Sequence, residues 1–355
     1  MRFDLDEEQL ALQRGVADYL SVECPVARAL RPHDTGEPDF GLWNDLMQLG
    51  FGAVMVPEEH GGLGLGLLDL AVMMEPVGRY AAPGPFLDHA LGTLALVMAG
   101  SDAQKREWLP ALASGDKRAT VAFAEGKGKW FADQWRLDGV TALTGEKHHV
   151  PHAEHADAII VGLSGGRLAL VRRDAPGLTI VPTPSTDAGK QLCTVTFDAT
   201  PCELLEGAAG ARLVDAGLVL LAADAFGGAS HALALSVAYA RERVQFGRPI
   251  GSFQGLKHQL ADMAITVEPS LGLYWFAAHC WDTDPQVAPL QAALAKSLIT
   301  ENFARATRRM IEAHGGIGYT WDYGAHVWLK RALFNQAWLG TPRALRARAA
   351  DLAGW

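Results

Sequence analysis

The stretch His148-His149-Val150-Pro151-His152-Ala153-Glu154-His155 holds four of the chain's 12 histidines. Such density could ligate a metal, but a metal needs converging ligands and a second shell that orients them. The stretch falls on a predicted strand-to-loop turn, where solvated or pocket-lining imidazoles are expected instead. Four cysteines, Cys24, Cys193, Cys202 and Cys280, form no CxxC pair, so neither a zinc site nor a disulfide framework is signalled. The run EEHGGLGLG could cradle a phosphate. It lacks the GxxxxGK[ST] spacing and a preceding strand, and a structural turn is predicted. Arg243, in RERVQFG, ends a long helical run. There it either offsets the helix dipole or offers its fork of donors to an anion. Gly315 and Gly316, in EAHGGIGY, either cap a helix or let a ligand approach the backbone.

The elements that must carry these residues follow from the wider pattern. The chain has 355 residues, 49% of them hydrophobic, enough for two or three packed subdomains. A net charge of −9 without a basic stripe argues against nucleic acid and against an anionic membrane surface. The N-terminal MRFDLDEEQL is no signal peptide, and no run of 18 apolar residues appears, so the expected location is the cytoplasm. Residues 3–23 read as a helix, with Asp4 and Glu7 as a capping box and Leu5, Leu12, Val16, Tyr19 and Leu20 on one face. A second helix is predicted over 40–50, and helices continue to Ser114–Gly115. After Lys117 the texture changes to short Val-, Ile- and Thr-rich runs separated by Gly, Asp and Pro, which predict a small barrel or sandwich ending near Leu205. From Arg212 a long run without proline predicts a helix that buries Leu220, Ala223, Phe226, Leu233, Val237 and Ala240, with Gly227–Gly228 admitting a close neighbour. Three more helical stretches, at 253–281, 287–313 and 324–350, complete a four-helix bundle.

This α+β order resembles the acyl-CoA dehydrogenase family: an N-terminal helical domain (1–117), a middle β domain (118–210) and a C-terminal bundle (211–355). The residues strengthen the likeness. LWNDLMQLGFGAVMVPEEHGGLGLGLLDLAVMMEPVGR is similar to the family's first domain. SDAQKREWLPALASGDKRATVAFAE resembles its helix-to-barrel junction. ARERVQFGRPIGSFQGLKHQLADM and EAHGGIGYTWDYGAHVWLKRA resemble its two bundle signatures. The resemblance implies FAD as cofactor, an acyl-CoA as substrate and α,β-desaturation. In that chemistry a Glu takes the α-proton while the flavin accepts the hydride.

Carried over residue by residue, the resemblance implies that Arg243 reaches the pyrophosphate of a neighbouring subunit's FAD. Phe246 would lie near the adenine, and Gln254 and Thr341 at further cofactor positions. Gly315 and Gly316 would admit the same pyrophosphate, with Glu312 standing where the family usually has Gln. The flavin-ring side departs from the pattern. Ala124 replaces a Thr, His149 stands at an aromatic position and Pro151 at a hydroxyl position. Both usual base positions also lack a carboxylate, being Leu339 in Trp338-Leu339-Gly340-Thr341 and Gly217 in the long helix. Asp215 is two residues away, roughly 200° around the helix, and is expected to face elsewhere.

The leading expectation is therefore a partner subunit of a heteromeric acyl-CoA dehydrogenase, such as the paired chains of bacterial steroid side-chain degradation, with bulky CoA thioesters as substrates. A homologous chain would supply the base and the flavin-ring contacts. The alternatives are a self-sufficient dehydrogenase using Asp215, Asp224 or a histidine as displaced base, and a scaffold or acyl-binding protein without FAD.

Overall fold

The computed structural model describes residues 4–126 and 128–355. Helix α1 (Glu7–Glu23) begins later than the sequence predicts. Asp6, not Asp4, is the cap: its carboxylate accepts the Gln9 N–H at 2.8 Å, and the Gln9 side chain accepts the Asp6 N–H at 3.1 Å. Val16 and Leu20 are buried, while Leu12 and Tyr19 are half-buried against the core. Helix α2 (Val26–Thr35) has no counterpart in the sequence reading, because Pro32 stands inside it. Helix α3 (Phe40–Gln48) is capped by Asp39. The glycine-rich loop is a packed turn: a Cβ on Gly62 would stand 1.9 Å from the Val56 carbonyl oxygen. It leads into α4 (Leu67–Arg79), whose first N–H groups, of Leu67 and Leu68, donate to the Asp282 carboxylate at 2.8 and 3.1 Å. Helices α5 (Phe86–Ala99) and α6 (Asp102–Ser114) follow. The first is buried on nearly every side, and the second ends at a left-handed Gly115.

Two sheets form the middle of the chain. β1 (Ala119–Ala122), β3 (Ala158–Gly162), β4 (Leu168–Arg172) and β7 (Glu203–Leu204) make one, in the order β1-β3-β4-β7, with β1 and β3 parallel. β2 (Ala142–Pro151), β6 (Leu192–Pro201) and β5 (Leu178–Thr183) make the other, antiparallel throughout. Ile159, Val161, Ala169 and Val171 share a core with Val195 and Phe197 of the second sheet. The alternate residues Ile160, Leu168 and Leu170 join the helical core. Burial on both faces explains why β3 and β4 read as continuous apolar runs.

Helix α7 (Gly210–Glu242) is long and apolar enough to cross a membrane by length and composition, yet it lies at the centre of the bundle. Gly227 lets it touch α4: a Cβ there would sit 1.9 Å from the Glu75 carbonyl oxygen. A hairpin of β8 (Val244–Gln245) and β9 (Arg248–Pro249) turns through Phe246 and Gly247, both at positive φ, into α8 (Gln254–Val267). Helices α9 (Ser270–Thr283), α10 (Ala288–His314), α11 (His326–Ala337) and α12 (Pro342–Leu352) follow. Two of the predicted stretches are thus split, one beside Pro269 and one at Leu339–Gly340, where the backbone turns left-handed. The expected four-helix bundle becomes six helices among the described residues.

One buried side chain joins the three parts. The Arg331 guanidinium donates to Asp187 at 2.7 Å, to Asp224 at 3.0 Å and to the Ala82 carbonyl at 2.8 Å. Asn335 donates to the other Asp224 oxygen at 2.6 Å.

Candidate functional site

The turn after α11 carries the first base position. Leu339 (φ 57) and Gly340 (φ 97) reverse the chain, and the Thr341 hydroxyl caps α12 by accepting the Ala344 N–H at 3.3 Å. Lys296 of α10, fully buried, clamps this turn by donating to the carbonyls of Gln336 (3.3 Å), Trp338 (2.8 Å) and Gly340. Burial holds its ammonium pKa well below the usual lysine range. Leu339 points inward and is fully buried. A Cβ added to Gly217 would lie 2.5 Å from Leu339 Cδ1 and 3.2 Å from Leu91 Cδ1. The two base positions therefore share one space, and a leucine side chain fills it.

The flavin-ring side is also closed. The Ala124 carbonyl accepts the His148 N–H at 3.0 Å, and the Pro151 carbonyl accepts the Thr120 hydroxyl at 2.5 Å. His149 sits at positive φ where β2 shifts register against β6, and its carbonyl accepts the Trp338 indole N–H at 3.0 Å. Trp130 stacks on the His149 ring at 5.7 Å and meets Trp338 edge-on at 6.0 Å. Glu125 is engaged by the buried Lys147 at 2.6 Å. Burial draws that lysine down to about 8. Ala124 and Pro151 present no side-chain donor, and their carbonyls are already engaged within this chain, which does not fit a flavin ring held by this chain itself.

The far end of the bundle is different. Arg243 caps α7, and its guanidinium is exposed without a side-chain partner among the described residues. Phe246, on the hairpin tip, is 92% exposed, and Gln254 opens α8, also exposed. Gly315 caps α10 at φ 61, and nothing lies within 4 Å of a Cβ built on it or on Gly316. The Tyr239 and His314 rings, 4.3 Å apart, hold the ends of α7 and α10 together, so the two motifs lie at the same end of the bundle. Glu312 is paired with Arg309 at 3.1 Å, which offsets its charge near that end. An exposed guanidinium and an open glycine turn at the same end of the bundle fit an anion such as a pyrophosphate arriving from outside. Thr341 is not at this end; it belongs to the Leu339 turn.

Asp224, His152 and His155 are engaged by packing, whereas Asp215 faces a cavity. Asp224 is fully engaged by Arg331 and Asn335, which removes it as a base. Asp215 turns to Arg348 at 3.5 Å and lines a cavity of about 210 Å³ with Arg212 and Trp281. Burial pushes its carboxyl up to about 6. His152 lies 3.2 Å from Asp88, and His155 packs edge-on against Phe40. No group of three or more metal-ligating side chains occurs among the described residues. Sequence reasoning missed Lys296, whose signal was a lone lysine in the apolar run ALAKSL, and Trp130.

The chain matches the acyl-CoA dehydrogenase N-terminal domain over residues 6–116 and the C-terminal domain over residues 212–352. It is 32% identical to acyl-CoA dehydrogenase IpdE2 of Mycobacterium tuberculosis over 96% of both chains. A Tcur3481-Tcur3483 steroid ACAD variant superposes with TM-score 0.90 at 33% identity, covering 98% of each chain. The ChsE4-ChsE5 complex from Mycobacterium tuberculosis superposes with TM-score 0.92 at 25% identity, covering 100% of this chain and 99% of that one.

Proposed function

Since this chain belongs to the acyl-CoA dehydrogenase family, we propose that it is the base-less subunit of a heteromeric acyl-CoA dehydrogenase, completing a flavin site on a homologous partner chain. The observation that carries this reading is Leu339 buried in the space of a side chain at 217, which leaves no carboxylate at either base position. FAD supplies the hydride acceptor when bound. The residues of this chain bind and orient: Arg243 holds the pyrophosphate through its fork of donors, and the Gly315–Gly316 backbone lets it come close. Proton abstraction and the flavin-ring contacts fall to the partner. Relatives named for steroid ACADs support a bulky CoA thioester as substrate.

The test is flavin content and dye-linked acyl-CoA oxidation, with and without a homologous chain co-expressed from the same host. Alone, the chain is expected colourless and inactive; together, yellow and active. Robust turnover by the isolated chain would overturn the reading. It would favour a displaced base, for which Asp215, raised to about 6 and facing a cavity, is the candidate. Asp215→Asn would then abolish the rate.

A further inference from the structure

Residues 320–325 join the Gly315–Tyr319 turn to α11, and they lie against α2. Gly324, at φ 71, packs so closely that a Cβ on it would stand 2.2 Å from Val26 Cγ1. The exposed Trp321 ring is held by three side chains. His33 of α2 meets it edge-on at 6.3 Å, His326 lies 4.6 Å away, and the Lys330 ammonium sits over it at 4.7 Å. Lys330 Nζ also lies 3.2 Å from His33 Nδ1. An ammonium can only donate, so Nδ1 accepts and the imidazole proton sits on Nε2. That Nε2 faces one Asp187 oxygen at 3.7 Å, while the other receives Arg331 at 2.7 Å. His33 thus ties α2 to the β layer and the bundle, through a hydrogen bond that only its neutral ring can accept.

We propose that His33 is a proton-operated latch, which holds residues 320–325 against α2 while neutral and releases them when protonated. A proton added at Nδ1 turns the acceptor into a donor aimed at an ammonium 3.2 Å away. The bond to Lys330 is then lost, and two cations face each other above Trp321. The surrounding charges do not compensate. From α11, Lys330, Arg331 and a charged His326 all oppose the proton. From the loop before β6, Asp187 attracts it but is already paired with Arg331. On α2 itself, Asp34 is exposed and acts on Lys330. Burial first, and then Lys330, hold the His33 pKa below its ordinary 6.5. The open form regains the ordinary value, so a fall in pH through about 6.5 favours opening and a rise restores the closed state. The released residues continue directly from the Gly315–Tyr319 turn, so the latch sets how firmly that turn is held. This coupling is independent of whether the turn meets a pyrophosphate.

The experiment is amide hydrogen exchange of the purified full-length chain, read by mass spectrometry over residues 26–36 and 320–327. Rates are corrected for intrinsic exchange at each pH. Lowering the pH from about 7.5 to about 5.5 should speed exchange there several-fold, up to about tenfold, the most that one proton titrating near 6.5 can drive over that interval. Helix α5 should not respond. His33→Gln keeps an acceptor for Lys330 but takes up no proton, so its exchange should be equal at both pH values. Lys330→Gln, at a half-buried position, can donate to the neutral ring or accept from the charged one, and should also abolish the response. Exchange in the wild type that ignores pH would overturn the proposal. So would an acid response that persists in either variant, or one shared equally by α5. Wild type and Lys330→Gln decide the matter where His33→Gln does not fold.

Discussion

If positions 217 and 339 compete for one space, their substitutions must couple. Gly217→Ala improves helix propensity by roughly 1 kcal/mol, but its methyl meets Leu339 Cδ1 at 2.5 Å. Overpacking of that kind costs about 1–3 kcal/mol, so a net loss near 1 kcal/mol is expected. Leu339→Ala removes a fully buried side chain and should cost about 2–5 kcal/mol. In the double variant the alanine methyl at 217 enters the space that the leucine vacates. The clash with Leu339 disappears, only a tighter contact with the flexible Leu91 side chain at 3.2 Å is left, and the helical gain remains. The double variant should therefore be more stable than Leu339→Ala alone by about 1 kcal/mol, where additivity would make it about 1 kcal/mol worse. The coupling of about 2 kcal/mol is measurable by urea unfolding, read from the midpoint at a common slope. Additivity within about 0.5 kcal/mol would refute the shared space, and with it the structural reason for the missing base.

Arg243→Ala should lower the flavin content of the heteromeric complex, with pyrophosphate affinity falling roughly ten- to a hundredfold, while the melting curve of this chain stays unchanged. Flavin occupancy equal to that of the wild type at sub-saturating FAD would remove the cofactor role. Arg331→Met should destabilise the chain by about 3–5 kcal/mol, because Asp187 and Asp224 remain buried with their charges unpaired. A melting temperature within a degree or two of wild type would contradict the buried network. Asp215 has a folded pKa near 6, above its ordinary 3.8. The folded state therefore holds that proton more tightly, and the wild type loses stability as pH rises from about 4 to about 6. Asp215→Asn should escape this loss, so its advantage in melting temperature grows across that window and levels off above it. A constant difference between the two proteins would show that the carboxyl is not desolvated.

Much of the architecture was legible because its signals are local. Helix α7 announces itself by a long apolar run without proline, and the sheets by β-branched runs between turn residues. Helix α2 was hidden because Pro32 and its polar neighbours imitate a loop. The Leu339 reversal was hidden for another reason: a leucine at positive φ is set by Lys296 and Gly340, not by its own preference. At the site, the identities of Leu339, Gly217, Ala124 and Pro151 could be read from sequence, but their mutual packing could not. Asp224 illustrates the gap. As an acid in a long apolar helix it looked available for chemistry, and only the fold shows that two side chains from α11 already occupy it.

The Arg331 junction also imposes a schedule on synthesis. Asp187 and Asp224 precede Arg331 by 144 and 107 positions. While the chain is being made, both carboxylates exist long before the cation that neutralises them. Until residue 331 leaves the ribosome they must remain hydrated, and the β layer cannot close against the bundle. The helices and strands of the first two parts form early, but their docking waits for the last stretch of chain to arrive.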